Sequence, residues 1–409
     1  MDTKQNAVPA LETHCCIAGC GPAGAMLGFL LARRGIDVVV LEKHGDFLRD
    51  FRGDTVHPST LAVMQELGLA DELLSLPHTA APVLNVWTAQ GVITVADFRR
   101  LKTPWPYLPF LPQWDFLNLL TSKARQYPTF HLLMNAEAQD LIEESGSIRG
   151  IRYHTQDGLH EVRATLTVAA DGRTSRIRQQ AGMMPIEQSP PIDVLWFRLS
   201  HAASDPSDTF AYVNAGHILI LIQRGDYWQC AYAIPKGRYQ QMCDAGLEQL
   251  KHSLAELLPN FPERAEEITS WEQIKLLSVK ANRLSRWYRP GLLCIGDAAH
   301  TMSPLGGVGI NLALQDAVVA ANVLVKPLQT NRLQVRHLRE IQWKRTVPTV
   351  IIQRLQSVVQ KRLTAPVLQG ERLSTIAAPL RVLFRLSRLR ELPAHLIAFG
   401  IWSVHVKDT

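Results

Sequence analysis

The spacing of hydrophobic residues changes between strand-like and helix-like patterns several times along the chain. Residues 15–18 and 37–41 are short runs of small or β-branched apolar side chains, and we expect both to be buried β-strands. Residues 23–34 between them are rich in Ala, Leu and Met, which is typical of a helix, and Gly35 ends that stretch. The order strand, helix, strand predicts a βαβ unit with parallel strands at the N-terminus.

Two later regions alternate in the manner of antiparallel strands. Residues 83–98 predict one hairpin, and residues 218–234 predict another with Arg224 in its turn. Residues 240–258 and 311–328 predict two long helices. Residues after 330 are expected to be largely helical and to be broken at four prolines, namely Pro348, Pro366, Pro379 and Pro393.

The composition, with 46% hydrophobic and 20% charged residues among 409, is that of a globular protein of two or three domains. No continuous apolar run reaches the length needed to span a bilayer, and the first residues lack a secretory signal pattern. The six cysteines show no metal-ligand spacing, so we expect no metal site and a cytoplasmic location. The net charge of +6 is unevenly distributed: residues 331–409 hold 14 Lys/Arg against 4 Asp/Glu, and the rest of the chain is slightly acidic.

A glycine-rich turn directly follows the first predicted strand. It reads Gly19-Cys20-Gly21-Pro22-Ala23-Gly24. Gly19 permits a tight turn, Gly21 lets the backbone approach a pyrophosphate, and Gly24 allows the helix to pack closely on the strand. Glu42 ends the second strand about twenty positions later, where an acidic residue binds a ribose diol.

Two further motifs of related character follow. The second reads Ala170-Asp171-Gly172-Arg173-Thr174-Ser175. The third reads Gly296-Asp297-Ala298-Ala299-His300 and continues as Pro304-Leu305-Gly306-Gly307-Val308-Gly309-Ile310-Asn311. Its glycines place bare backbone beside a flat ligand, and the helix that starts near Asn311 aims its positive end at that ligand. Three such motifs in this order indicate a tightly bound FAD and redox chemistry.

The three motifs resemble those of the flavoprotein aromatic hydroxylases, the para-hydroxybenzoate hydroxylase type, over roughly residues 12–330. Two further features match: Arg52 with Gly53, and Gln113 in Leu-Pro-Gln-Trp-Asp-Phe-Leu. The resemblance implies an FAD-dependent monooxygenase in which NADPH or NADH reduces the flavin and leaves. Oxygen would then form a flavin C4a-hydroperoxide that hydroxylates a hydrophobic, electron-rich small molecule, aromatic or quinone-like.

The resemblance also implies roles for individual residues. Glu42 is expected at the adenosine ribose and Asp297 at the ribityl chain, while Arg52 and Gln113 are expected near the cofactor's centre. The full set of expected cofactor-binding residues is Gly19, Gly21, Pro22, Ala23, Gly24, Glu42, Lys43, Arg52, Gly53, Gln113, Asp171, Gly172, Gly296, Asp297, Pro304, Gly307, Val308, Gly309, Ile310 and Asn311.

The sequence leaves the catalytic base open. The candidates for the catalytic centre are His57, Pro304, Gly306 and Gly307. His217 and Tyr232 are alternatives, although isolated residues of these types near apolar strands are more often structural. Arg224 could anchor a substrate carboxylate, but its place beside a Gly-Asp pair is more typical of a solvated turn. Six aromatic residues could line a substrate cavity, although core packing is their default role: Trp105, Tyr107, Trp196, Tyr212, Trp228 and Tyr232.

Three other functions stay open. Prenyl reductases share all three motifs, so an FAD-dependent oxidoreductase without oxygen insertion is the main alternative. Residues 230–235 faintly resemble a motif of flavin halogenases, but both tryptophans of that motif are missing. A flavin-binding scaffold or sensor without catalysis is the third, and an open glycine loop beside the ring disfavours it.

The expected fold is α/β, with a Rossmann-like FAD-binding domain interleaved with a β-sheet substrate domain and followed by a helical C-terminal segment. The FAD-binding domain is expected to comprise residues 1–80, 111–185 and 280–330; the substrate domain, residues 81–110 and 186–279; the C-terminal segment, residues 331–409.

Residues 380–402 carry arginines between apolar residues, a basic amphipathic pattern. Packing of this segment on the body of the protein is the favoured interpretation. Weak peripheral contact with the inner face of a membrane is the alternative. We expect no nucleic-acid partner because no recognition module is visible. The oligomeric state is left open.

Overall fold

The computed structural model describes residues 11–48, 55–206, 209–214, 216–371 and 391–407. Its strands are β1 (Leu11–Ala18), β2 (Val38–Leu41), β3 (Thr79–Ala81), β4 (Val83–Thr88), β5 (Gly91–Asp97), β6 (Leu108–Phe110), β7 (Phe130–Leu133), β8 (Glu137–Glu144), β9 (Ser147–Thr155), β10 (Gly158–Ala169), β11 (Pro185–Gln188), β12 (Ile192–Ser200), β13 (Phe210–Asn214), β14 (His217–Gln223), β15 (Tyr227–Pro235), β16 (Lys275–Leu277), β17 (Ala281–Leu284), β18 (Tyr288–Arg289), β19 (Leu292–Cys294) and β20 (His300–Thr301). Its α-helices are α1 (Pro22–Ala32), α2 (Pro58–Glu66), α3 (Ala70–Ser75), α4 (Gln113–Ala124), α5 (Arg176–Gln180), α6 (Tyr239–Ala245), α7 (Leu247–Leu257), α8 (Gly309–Gln329), α9 (Val335–Val359), α10 (Ala365–Leu368) and α11 (Glu391–Phe399).

A parallel sheet carries the three motifs. Its strands lie in the order β19, β10, β1, β2, β7, all parallel, and β18, β9 and β8 extend it with antiparallel pairs. Side chains of β1 alternate between two hydrophobic clusters, with Cys15 and Ile17 in one and Cys16 and Ala18 in the other. Both faces of the sheet are therefore covered, which explains the continuous apolar runs of its strands.

A second sheet of seven strands follows the order β16, β12, β15, β14, β13, β4, β5. Its pairs are antiparallel except for β13 with β4. One face packs on α7 through Leu250, Leu254 and Leu257. The opposite face packs on α10 and α11 through residues such as Leu368 and Ala394. This architecture confirms the predicted fold class, whereas the exact domain boundaries stay a prediction.

The helix boundaries differ from the sequence prediction at a glycine and at the prolines. The single helix predicted over residues 240–258 is wrong, because Gly246 adopts φ +92° and separates α6 from α7. The predicted breaks at Pro348, Pro366 and Pro393 are also wrong. Helix α9 continues through Pro348, the helical run from α9 to α10 includes Pro366, and α11 includes Pro393. Pro379 lies outside the described residues. A proline costs a helix one hydrogen bond. The buried contacts of Arg345 and Gln353 on either side of Pro348 hold α9 in place.

Helix α8 is both long and apolar. By length and composition alone it could cross a membrane, which corrects the expectation that no stretch is long enough. However, 78% of its apolar window is buried inside the protein, and a core helix of a globular protein passes the same test. Its packing against α1 and α9 gives it a core role.

A buried cluster of charged side chains joins α8 to α9. The Asp316 carboxylate accepts hydrogen bonds from Arg345 Nε at 2.7 Å and from the Gly296 amide at 3.0 Å, and it lies 2.7 Å from His300 Nε2. Asp316 and Arg345 are at most 1% exposed. Burial alone would raise the pKa of Asp316, but His300 and Arg345 outweigh it and hold that pKa below its usual value.

We expect Arg345→Met to destabilise the protein by about 3–5 kcal/mol, because it leaves a buried carboxylate with less compensation. Urea unfolding of the purified protein measures this loss. Arg336→Met, on the exposed side of the same helix, is the matched control and should change stability by about 0.5 kcal/mol or less. Equal unfolding midpoints for the two variants would contradict the importance of the buried pair.

Candidate functional site

The first glycine turn lies at the carboxyl end of β1, where α1 begins. A side chain on Gly24 would place its Cβ 1.9 Å from the Gly19 carbonyl oxygen, so only glycine fits there. At Gly21 a Cβ would meet nothing within 4 Å. No described side chain caps the N-terminus of α1, so its first amides remain available. This open, positive helix end has the form required by a pyrophosphate.

Glu42 follows β2 at the same edge of the sheet and is 8% exposed. Its Oε2 accepts the Cys20 amide at 3.0 Å, and its Oε1 accepts the His44 amide at 3.1 Å. The carboxylate is thereby fixed against the first glycine turn. Lys43 beside it is exposed.

The second motif follows β10 and directly contacts the first. A Cβ on Gly19, which has φ +94°, would lie 2.5 Å from the Ala170 carbonyl oxygen. The Asp171 carboxylate accepts hydrogen bonds from Ser175 Oγ and the Ile177 amide, so it braces its own loop. Burial raises the pKa of Asp171. Gly172 has φ +86°, which allows the chain to turn directly after Asp171.

The third motif follows β19 and meets the other two. Gly296 adopts φ +58°, and a Cβ there would lie 3.0 Å from the Cβ of Ala23 in α1. Arg173 Nε lies 3.2 Å from Asp297 Oδ2, and the Asp297 side chain is 33% exposed. Arg178 donates to the carbonyls of Ala298 and Arg173. The three motifs therefore form one surface at the carboxyl ends of β1, β10 and β19.

Residues 303–309 form a glycine loop that leads into α8. Gly306 and Gly307 have φ +79° and +62°, and the loop makes a short 3-10 turn over Leu305–Gly307. Helix α8 begins at Gly309, two residues before the predicted start. Pro304 is exposed, and Val308 is partly buried. The loop thus presents backbone and a helix N-terminus on one side.

The Asn311 side chain clamps the glycine loop to the segment before α2. Its Oδ1 accepts the His57 amide at 3.0 Å and the Thr60 hydroxyl at 2.6 Å. Its Nδ2 donates to the carbonyl oxygens of Thr55 at 3.4 Å and Gly307 at 3.3 Å. These four bonds use the hydrogen-bonding capacity of the amide inside the protein. Ile310 beside it is buried.

His57 lies where α2, the glycine loop and α11 meet. The residue is 2% exposed, and its neighbours include Leu396 and Ile397 of α11. Burial lowers the pKa of His57 to about 4, and backbone groups of Ile397 and Gly306 offset this effect only in part. His57 is therefore neutral near pH 7. A neutral imidazole with so low a pKa is a weak general base.

His217 and Tyr232 pair with each other away from the glycine loop. Their Nδ1 and hydroxyl oxygen are 2.6 Å apart. Tyr232 lies in the cluster that packs on α7, together with Tyr212 and Trp228. Burial lowers the pKa of His217 and raises that of Tyr232. These aromatic residues of the predicted cavity lining therefore belong to the core behind the sheet.

Trp196 lies on the opposite face of the same sheet, in the clusters that contain α11 and Leu368. Trp105 packs on the core of the parallel sheet, and burial raises the pKa of Tyr107. Arg224 lies in the turn between β14 and β15, as predicted, but its side chain is partly buried rather than solvated. Its Nη atoms are buried, and its Nε donates to Gln229 Oε1 at 3.2 Å.

Gln113 is the first residue of α4 and is partly buried. Arg52 and Gly53 lie outside the described residues. Sequence reasoning missed the functions of Arg178, Asp316 and Arg345 as internal ties of the site. Asp316 carried a signal, since it is a charged residue within an otherwise largely apolar stretch that follows the third motif.

Comparisons with known proteins agree with this geometry. Residues 12–339 match the family described as FAD binding domain. The chain is 33% identical over 356 residues to 6-methylpretetramide 4-monooxygenase of Streptomyces rimosus, which covers 86% of this chain and 84% of that protein. Digeranylgeranylglycerophospholipid reductase 1 of Methanopyrus kandleri is 24% identical over 352 residues, which cover 81% of this chain and 85% of that protein. The crystal structure of PqsL, a probable FAD-dependent monooxygenase from Pseudomonas aeruginosa, shares the fold with a TM-score of 0.74 at 21% identity, over 90% and 100% of the two chains.

Two glycines of the first turn give a matched pair of variants. Gly24→Ala should destabilise the fold, because its Cβ would collide with a backbone carbonyl oxygen 1.9 Å away. Gly21→Ala should leave the apoprotein stable and weaken FAD binding by about tenfold or more, because its Cβ enters the space expected for pyrophosphate. Thermal unfolding of the apoproteins and fluorescence titration with FAD separate the two effects. Full FAD affinity in Gly21→Ala would argue against this turn as the pyrophosphate site.

Gly306 and Gly307 of the glycine loop give a second matched pair of variants. Gly307→Ala should be more damaging than Gly306→Ala, although both residues have positive φ. Only at Gly307 would a Cβ meet a neighbour closely, with Thr55 Oγ1 at 2.6 Å and Thr55 Cβ at 2.8 Å. We expect a normal fold by circular dichroism and an altered flavin absorbance spectrum in Gly307→Ala. Identical flavin spectra for both variants would place the loop away from the flavin ring.

Proposed function

This chain belongs to the FAD binding domain family of flavin-dependent aromatic monooxygenases, and from that premise we propose how its residues serve the reaction. The enzyme uses FAD, NAD(P)H and O2 to hydroxylate an aromatic substrate. We propose that this substrate is a hydrophobic, electron-rich molecule of phenol or quinone type. The observation that carries the proposal is the convergence of three motifs on one surface beside a glycine loop.

The residues present fit FAD. The turn at Gly19–Gly24 with the N-terminus of α1 would hold the pyrophosphate, and Glu42 would hold the adenosine ribose. Asp297 would hold the ribityl chain, because its carboxylate is partly exposed and its charge is balanced by Arg173. When bound, FAD supplies the two-electron reduction and the activation of oxygen.

We propose that the glycine loop and the N-terminus of α8 lie beside the flavin ring. The helix end would stabilise negative charge that develops on its pyrimidine side, by about 0.3–1 kcal/mol or more when buried. Neutral His57 would orient groups rather than remove a proton. The partly buried apolar side chains of Leu396 and Ile397 beside it would exclude water from the reaction.

The two sheets support the proposal of two interleaved domains with the substrate between them. The face of the seven-stranded sheet that carries Trp196 lies on the α11 side, and α11 also contacts His57. This face therefore borders the space next to the glycine loop. The Nη atoms of Arg224, in the turn between β14 and β15, are also buried. An aromatic substrate would find apolar walls there and a cation at one end.

Membrane contact through residues 380–402 stays a prediction. Residues 380–390 lie outside the described residues. In the described part, α11 packs on β5 and α2, while Leu392 and Trp402 are 63% and 50% exposed. These contacts favour docking of the segment on the protein body. We propose a cytoplasmic enzyme, and the oligomeric state stays open.

The reaction can be tested with the purified, FAD-loaded enzyme. It should be yellow, and NADPH or NADH should bleach it without oxygen. Reoxidation with polycyclic phenols should then yield a hydroxylated product, with one O2 consumed for each NAD(P)H. The related prenyl reductases make the alternative testable in the same experiment. Reduction of an isoprenoid double bond, without incorporation of labelled oxygen into any product, would overturn the monooxygenase proposal.

A further inference from the structure

Helix α9 and the π-helical turn after it bury a row of polar side chains against the segment that carries the third motif. We call Gln353, Gln356 and Gln360 the glutamine seam. They follow one another at spacings of three and four residues, so they share one face of the helix. Their exposures are 2%, 5% and 2%. All three lie beyond residues 12–339, which match the FAD binding domain family.

Two members of the seam hold the start of the glycine loop. Gln356 Nε2 donates to the carbonyl oxygens of Ser303 at 3.0 Å and Leu305 at 2.8 Å. Gln360 Nε2 lies 2.5 Å from the Ser303 hydroxyl oxygen, which in turn accepts the Leu305 amide at 3.3 Å. Gln356 therefore fixes the backbone on both sides of Pro304, and Gln360 fixes the Ser303 side chain.

The helix departs from regular geometry at this contact. Residues Gln360–Thr364 form a π-helical turn directly after α9. Such turns are rare in proteins, and those that occur often lie at functional sites. The turn begins at the residue whose side chain meets Ser303.

Burying the amide of Gln356 has a cost in folding free energy. A buried amide must have its hydrogen bonds satisfied, or it destabilises the protein. Gln356 Oε1 is buried and has no hydrogen-bond partner among the described residues. Its two Nε2 hydrogen bonds, both to the backbone of the glycine loop, offset that cost, so the effect of this amide is concentrated on the loop.

We propose that Gln356 and Gln360 are positioning residues that hold the glycine loop, residues 303–309, in the shape that flavin chemistry requires. The C-terminal helix thus completes the cofactor site from outside the matched domain. The role of this loop in flavin chemistry rests on the proposed function, which places the loop beside the flavin ring. The fixation of the loop by the seam rests on the contacts alone.

Gln353 provides the matched control. It has the same burial and the same kind of contacts, since its Nε2 donates to the carbonyl oxygens of Asn282 at 2.8 Å and Thr301 at 3.1 Å. Those carbonyls belong to the strands β17 and β20 rather than to the loop. A change at Gln353 should therefore disturb stability without loosening the loop.

The experiment compares Gln356→Met with Gln353→Met by amide hydrogen exchange, with and without FAD. In Gln356→Met, amides of residues 303–309 should exchange about tenfold faster than in the wild-type protein, because two hydrogen bonds to the loop are lost. In Gln353→Met those amides should stay within about twofold of wild type. Both variants should retain FAD. The rate at which NADPH bleaches the bound flavin should fall about tenfold in Gln356→Met only.

Gln356→Glu adds a pH readout that a purely structural role would not produce. A buried carboxylate cannot donate to the two carbonyls, and burial raises its pKa. As the pH falls through that raised pKa, the protonated acid regains one donor. The exchange rate of the loop, relative to wild type at each pH, should then recover in Gln356→Glu and stay constant in Gln356→Met.

Two outcomes would overturn the inference: equal loop exchange in Gln356→Met and Gln353→Met, or a loosened loop with an unchanged rate of flavin reduction. Failure of the proposed function is a separate result. It would show as a wild-type protein that does not retain FAD or is not reduced by NADPH or NADH. The exchange comparison of the apoproteins still decides whether the seam fixes the loop.

Discussion

The buried carboxylate of Asp316 is the interaction on which the arrangement of the site depends. It lies in α8 and accepts hydrogen bonds from the Gly296 amide of the third motif and from Arg345 of α9, and it also contacts His300 of β20. A carboxylate that is 0% exposed is tolerated only when its charge and its lone pairs are compensated. The third motif, the helix that follows it and the C-terminal helix must therefore assemble together, because none of them satisfies this group alone.

This constraint places the C-terminal region within the functional architecture. Arg345 fixes α9 against α8, and Gln356 further along the same helix then reaches the backbone on either side of Pro304. On the other side, Asn311 ties the loop to the segment before α2. The loop is held by side chains from two directions while its backbone stays available to a ligand. Pre-organisation of this kind avoids ordering costs when a cofactor or substrate binds.

Much of the fold and part of the site could be predicted from the sequence, where the determining physics is local. The order of strand, glycine turn and helix around Gly24 follows from residues that touch one another within six positions. The hairpin strands β4 with β5 and β14 with β15 formed as their alternation indicated. Local rules were misleading where context outweighed them. Pro348 did not end α9, whereas Gly246 divided a stretch whose apolar spacing indicated one helix.

The remaining features depend on pairs that are distant in the chain. Arg345 lies 29 residues from Asp316, and Gln356 lies 53 residues from Ser303. In the sequence, glutamines and arginines on a helix are typical of a solvated face, because most such residues are exposed. Only the packing of α9 shows that this polar face is turned inward, while Trp343 and Val358 on its other side are 73% and 56% exposed. Specific hydrogen bonds of the buried amides therefore hold α9 in addition to the hydrophobic burial of Leu338, Ile341 and Ile352. For that reason the functional contribution of the C-terminal segment could not be inferred from hydrophobic periodicity.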